Sequence, residues 1–188
     1  MKINERIINA CQELARSRGL HNFTMDELSA HAGLSKRTVY RYFRSKEDII
    51  EAAVDSFLDG AAAEVDSLIY SEKDPLEVLS NMFNYIFAHG QFLFMSPALD
   101  DLRKYYPHLW QKIDHFRIQR IKTVIEMLKS QNHIQAMTDI DPRILIAVIT
   151  ASVQAVLNPD FILENGLTFE ETAGQLSKLI ENLFIKNS

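Results

Sequence analysis

The sequence predicts an all-α protein: an N-terminal three-helix unit with a helix-turn-helix, followed by a helical-bundle body. Three observations carry this. Between Pro and Gly breakers nearly every stretch repeats its apolar residues at helical spacing, and strand-like alternation is sustained nowhere. Residues 24–46, TMDELSAHAGLSKRTVYRYFRSK, have the layout of two short helices about a glycine turn. Charge is also divided along the chain. Residues 1–46 hold nine Lys/Arg against four Asp/Glu, a net of +5, whereas residues 47–188 hold eleven against twenty-one, a net of −10. A basic head on an acidic body favours approach to a phosphate backbone by one end only, although the whole chain is acidic at −5.

The elements follow in order. The first helix spans about Asn4 to Arg18, with Ile7, Cys11 and Leu14 on one stripe and Ile8 and Ala15 beside it; Gly19 ends it. Leu20 and Phe23 are expected beneath the next two helices. Thr24 is a good N-cap, with Glu27 three residues on to complete a capping box. The helix Met25 to Ala32 then places Leu28 and Ala32 on one side. Gly33 supplies the left-handed turn, and Ser35 caps Lys36 to Phe43. That helix buries Val39 and Phe43 and turns Lys36, Arg37, Thr38, Tyr40, Arg41 and Tyr42 outward. Two helices so joined, the second rich in cations, hydroxyls and aromatics, suit the major groove of DNA. A solvated hairpin kept soluble by its charges would not call for two exposed tyrosines and a threonine among four cations.

Here the chain resembles a known family. The order of helix, FTMDELSAHAGLSKRTVYRYFRSKEDII and long helix is similar to the N-terminal domain of TetR (tetracycline-repressor) family regulators, and Gly33 to Lys46 match the motif without a gap. The resemblance covers about the first quarter of the chain; beyond it only helical layout and length agree. It implies that Thr24, Tyr40 and Lys46 contact the DNA backbone. Lys36, Arg37, Thr38, Arg41 and Tyr42, on the helix that Ser35 caps, are then the base-edge or mixed candidates. It further implies a homodimer on a pseudo-palindromic operator, a repressor released by a small effector, and a bacterial, cytoplasmic setting.

A further helix starts at Lys46, marked by Ser45 with a looser capping pattern to Asp48, and carries Ile50, Val54, Phe57 and Ala61 at 4-3-4 spacing. Because it crosses the charge boundary unbroken, a head of residues 1–46 and an effector-binding, dimerising body of 47–188 are expected to share it. Gly60 weakens this helix without necessarily ending it. In the body, helices are expected at about Leu76 to His89, Ala98 to Tyr105, His108 to Lys129, Arg143 to Leu157 and Phe169 to Ile185, with Ser96-Pro97 and Asp141-Pro142 as cap followed by proline.

Met82 to Met95 lacks charged side chains and carries five aromatic rings. Phe83, Phe87, Phe92, Met95, Tyr106, Trp110, Phe116 and Arg120 are the candidate lining of an apolar effector pocket; the competing reading is an ordinary aromatic core. Such a pocket suits a lipophilic or amphipathic molecule. For dimerisation, the helix from Arg143 is apolar nearly all round. The last helix has a heptad seam, so Ile149, Val153, Phe169, Ala173, Leu176, Ile180 and Leu183 are expected at a four-helix interface between two chains, or else inside one.

Several classes are disfavoured. The single cysteine, Cys11, forms no intrachain disulfide and fits a reducing compartment. No signal peptide and no membrane span is read. His108 and His115 lie about 10 Å apart along a helix, there is no HExxH, and neither metal nor cofactor is expected. No nucleophile elbow or phosphate loop supports an enzyme built on, for example, Asp114 and His115. The more serious alternative is a DNA-binding adaptor whose body holds a protein partner.

Overall fold

The structure, a computed structural model, describes residues 1–70, 85, 88–130 and 141–184. Among these residues it is helical with no strand. The head consists of α1 (Ile3–Arg18), α2 (Met25–His31) and α3 (Lys36–Tyr42), and α4 (Lys46–Tyr70) leaves it. The body continues with α5 (Gln91–Phe94), α6 (Ser96–Lys104), α7 (Pro107–Ser130), α8 (Pro142–Val156), α9 (Pro159–Glu164) and α10 (Phe169–Phe184).

The head forms as its caps direct. Thr24 Oγ1 accepts from Glu27 N at 3.2 Å while Glu27 Oε2 accepts from Thr24 N at 2.8 Å, closing the box. These bonds, the backbone amide foremost, hold the Glu27 carboxyl below its usual pKa. Gly33 has φ 63°, and Leu34 N reaches back to Ser29 O at 2.9 Å to close the turn. Arg6 Nη2 donates to Ala32 O at 2.8 Å, tying that turn to α1. Ser35 Oγ accepts from Thr38 N at 3.1 Å. At the start of α4, Asp48 accepts from Arg44 N at 3.0 Å and Ser45 Oγ from Asp48 N at 3.0 Å, so the shorter acid reaches one residue further back than a Glu would.

Two apolar clusters organise the chain. The first joins Ile7, Cys11, Leu14, Leu20, Phe23, Leu28 and Val39 to Ile49, Ile50, Val54 and Phe57 of α4, then runs on to Phe92, Leu102, Tyr106 and Leu109. Burial pushes the Cys11 thiol up to about 12, so it is inert packing. The second gathers Val65, Leu99, Ile121, Leu145, Ile149, Val153, Leu157, Ile162, Phe169, Ala173 and Leu176. The head core thus continues across the charge boundary through α4.

Several expectations need correction. The short helices α5 and α9 were not expected. Asn158 begins α9 by accepting from Phe161 N at 2.8 Å ahead of Pro159, so this Asn-Pro pair is a cap. The cap of α6 is Met95, without a side-chain bond, and Ser96 is already helical. Asp141 does cap α8, accepting from Arg143 N at 2.8 Å. The helix expected from Leu76 lies mostly outside the described residues. Of the predicted interface seam, Ile149, Val153, Phe169, Ala173 and Leu176 are buried within one chain and Ile180 packs against them, while the Leu183 side chain lies outside those described.

Gly60 has a packing reason. A Cβ there would overlap the Tyr85 hydroxyl, so the bare backbone admits the tip of that ring against α4. Gly60→Ala is therefore expected to cost about 1–3 kcal/mol through overpacking despite its better helix propensity. Urea unfolding should show the loss, and Tyr85→Leu in the same chain should recover most of it.

Candidate nucleic-acid interface and body chamber

The outer face of α3 presents Lys36, Arg37, Tyr40, Arg41 and Tyr42 to solvent, with the two tyrosines 46% and 45% exposed. Val39 is buried beneath and anchors the helix. Arg41 lies over the Tyr42 ring at 5.5 Å, which orders both side chains on this face. Lys36 is restrained by Asp26 of α2 at 3.0 Å. Ser35 and Thr38 bond to each other at 2.8 Å as part of the cap, leaving them at the start of the presented face. Thr24 stands exposed at the start of α2. A protruding helix with planar and cationic donors on one face can enter a major groove and set its ends on phosphates.

Lys46 is placed differently from the other cations. Its Nζ donates to His21 O at 2.5 Å and lies 4.1 Å from the Phe23 ring centre. Burial holds its pKa below the usual lysine value. The same loop is gripped from the body. His21 N donates to Asp101 Oδ2 at 2.8 Å, and the His21 ring stacks on Tyr105 at 3.9 Å. Asp101 is buried, and a Cβ on Gly19 would lie 2.4 Å from its Oδ2. The α1–α2 loop is thus pinned between α4 and α6. Tyr106, beside it, is buried, and its hydroxyl is pushed up to about 12 by burial with Asp101 nearby.

Deeper in the body, α4 and α7 flank a small apolar chamber of about 50 Å³. From α4 come Phe57, Leu58, Ala61 and Val65; from α7, Ile113, Phe116, Arg117 and Arg120; Phe94 and Phe169, stacked at 3.9 Å, close one end. Among the described residues of the predicted pocket, Phe116 and Arg120 line it. Phe92 is core, edge-on to Phe57 at 6.0 Å, Met95 is 49% exposed, Tyr106 belongs to the head junction, and Trp110 sits behind Arg117. Phe83 and Phe87 lie outside the described residues. The wall from α4 was legible in the Phe57–Ala61 stripe, but nothing in a stripe distinguishes a cavity from a filled core. A polar groove beside the chamber shares Leu58, Phe116 and Arg120 with it and adds Asp55, Asp59, Lys112, His115 and Gln119. Asp114 pairs with Arg117 and accepts from Gln154, so it is not a partner free for His115. Among the described residues no group of three His, Cys, Asp or Glu side chains is placed to hold a metal.

A groove-reading helix at one end of a helical body defines a helix-turn-helix, DNA-binding transcription regulator. The family model for bacterial regulatory proteins of the tetR family matches residues 7–53, the head and the start of α4. The chain is 27% identical over 184 residues to the uncharacterized HTH-type transcriptional regulator YvaF of Bacillus subtilis (strain 168), covering 97% of this chain and 94% of that one. Its fold is similar to that of a transcriptional regulator from Aquifex aeolicus VF5, with a TM-score of 0.67 at 19% identity over 97% of this chain and 100% of the other. It is also similar to the transcriptional regulator FadR from Bacillus subtilis, solved in complex with stearoyl-CoA, with a TM-score of 0.62 at 16% identity over 94% and 96%. No helix among the described residues is long and apolar enough to cross a membrane.

The two kinds of cation should separate experimentally. Lys46→Ala is expected to lower the stability of the DNA-free protein by about 1–2 kcal/mol, because it strands the His21 carbonyl and uncovers Phe23. Arg41→Ala should leave the thermal melt unchanged, weaken DNA binding and reduce the slope of log affinity against log salt by about 1.

Proposed function

We propose that the protein is a homodimeric repressor of a pseudo-palindromic operator, released when a lipophilic effector enters the body chamber. The observation that carries this reading is the path of α4. The helix begins beside the reading head at Lys46 and supplies Phe57, Leu58, Ala61 and Val65 to the chamber wall. A ligand that fits one wall position better than another favours one head position over another. Thr24, Tyr40 and Arg44 serve phosphates in this reading. Lys36, Arg37, Thr38, Arg41 and Tyr42 face base edges, and Lys46 acts first as a brace with its helix N-terminus toward the backbone.

The dimer face we assign is what the intramolecular core leaves uncovered on α8 and α10. Ile144 and Val148 are 58% and 50% exposed and Leu179 is 59% exposed. Exposed apolar side chains on adjoining helices suit a two-fold, self-complementary contact. The stearoyl-CoA held by the FadR neighbour supports an acyl-type effector class. The interior chamber favours a small effector over the adaptor reading, in which the body would instead offer its surface to another protein.

Selection from a pool of random duplexes tests the first claim. Wild type should enrich a pseudo-palindrome, and Tyr40→Ala/Arg41→Ala should not; absence of any enriched sequence at low salt would overturn it. Val148→Glu/Leu179→Glu is expected to sediment as a folded monomer with unchanged helical circular dichroism and to lose at least tenfold in operator affinity, since two half-sites then bind independently.

A further inference from the structure

Resting on the reading of α3 as the helix that enters DNA, we propose that Arg6 is a positioning residue for sequence recognition. From α1 it fixes the angle at which α3 leaves α2, and it makes no contact with DNA itself.

The angle between the two helices is set at one residue. Gly33 sits in the left-handed region at φ 63°, and its two torsions aim α3 relative to α2. Glycine has the widest choice of torsions of any residue, so this joint needs an outside restraint to hold one angle. Arg6 supplies it. Its Nη2 donates to Ala32 O at 2.8 Å and to Gly33 O at 3.3 Å. Those oxygens belong to the rigid peptide planes before and after the Gly33 Cα, and the rotation of each plane about that Cα is φ and ψ themselves. One nitrogen bonded to both planes therefore holds the joint. The close approach uses the missing side chain, since a Cβ on Gly33 would lie 3.0 Å from Nη2.

α3 has little else to fix its aim. It is seven residues long with Val39 as its buried residue, and Leu34 and Phe43 at its ends are partly buried against the head core. α2, by contrast, is tied to α1 at both ends: Glu27 pairs with Arg18 at 2.6 Å and His31 with Glu13 at 2.5 Å. α1 is thus a frame that holds α2 by ion pairs and the joint beyond it by Arg6. The two kinds of DNA contact depend unequally on that frame. A side chain reading a base edge needs its donors aligned, and a misaimed helix loses the bond. Long cations meeting phosphates tolerate the error, because the same charge recurs along the duplex.

A duplex recovered by selection with the wild type, and a scrambled duplex of the same composition, are titrated over a range of salt with wild type, Arg6→Met and Arg6→Lys, well below each melting temperature. Arg6→Met is expected to lose about tenfold on the selected duplex and less than about twofold on the scrambled one, with the slope of log affinity against log salt unchanged. Arg6→Lys, which keeps a donor for the turn, should recover most of the loss. A parallel fall on both duplexes with a reduced slope makes Arg6 a phosphate contact and overturns the proposal. Wild-type affinity of folded Arg6→Met for the selected duplex also overturns it, leaving Arg6 a stabilising residue only. If the wild type enriches no sequence, the reading of α3 falls with it. Should Arg6→Met not fold, modification of wild-type arginines by phenylglyoxal, mapped by mass spectrometry, decides. The duplex should protect Arg37 and Arg41 and leave the reactivity of Arg6 unchanged; new protection of Arg6 overturns the proposal.

Discussion

One unbroken helix belonging to two cores is the constraint from which the rest of this molecule follows. Ile49, Ile50, Val54 and Phe57 of α4 are buried with the head, and Val65, two turns beyond, is buried with the body. A helix is stiff over this length because its backbone bonds are internal and its flanks are packed. Head and body therefore cannot shift independently along it. The acidic side of α4 is held to α7 by Glu51 and Asp55 on Lys112, at 3.1 and 2.5 Å, and by Asp66 on Arg120. Exposed pairs of this kind contribute little stability singly; their effect is to orient one helix on the other.

The junction between α1, α4 and α6 gives this constraint a second anchor. The loop of residues 19–24 has its backbone bonded on one side to a buried carboxylate, Asp101, and on the other to a half-buried ammonium, Lys46. Both bonds go to the main chain of a single residue, His21. Movement of α6 against α4 therefore bears directly on the segment that enters α2. The head is positioned by the body through backbone groups, which a change of side chain on α3 does not disturb. The outward face of α3 and the contacts that pin the α1–α2 loop are physically separate.

The body shows how the same residue types are divided among different tasks. Phe169 and Phe94 stack at the chamber end, Phe92 fills the head core, and Trp110 covers a buried arginine. Aromatic rings at helical spacing have the same periodicity in all three roles. The heptad stripe of α10 behaves likewise: its spacing announces a partner helix without saying whether that helix lies in the same chain. α8, apolar on nearly every side, packs against part of the stripe with one face and leaves Ile144 and Val148 outward on another.

By itself the sequence determined what depends on neighbours within about one helical turn. The capping box at Thr24 and Glu27, the left-handed Gly33, the Ser35 cap and the outward run on α3 are all set by contacts three or four residues apart, so the reading head was legible residue by residue. So were the all-α class and the continuity of α4 through the charge boundary. Tertiary structure alone decided what depends on residues far apart in the chain. Lys46 is turned inward by His21 and Phe23, Gly60 is required by Tyr85, and the chamber arises where α4 and α7 fail to fill the space between them. Part of the α10 stripe packs with its own α8. Periodicity specifies which face is apolar; only packing of distant segments specifies what that face meets, or whether it meets anything.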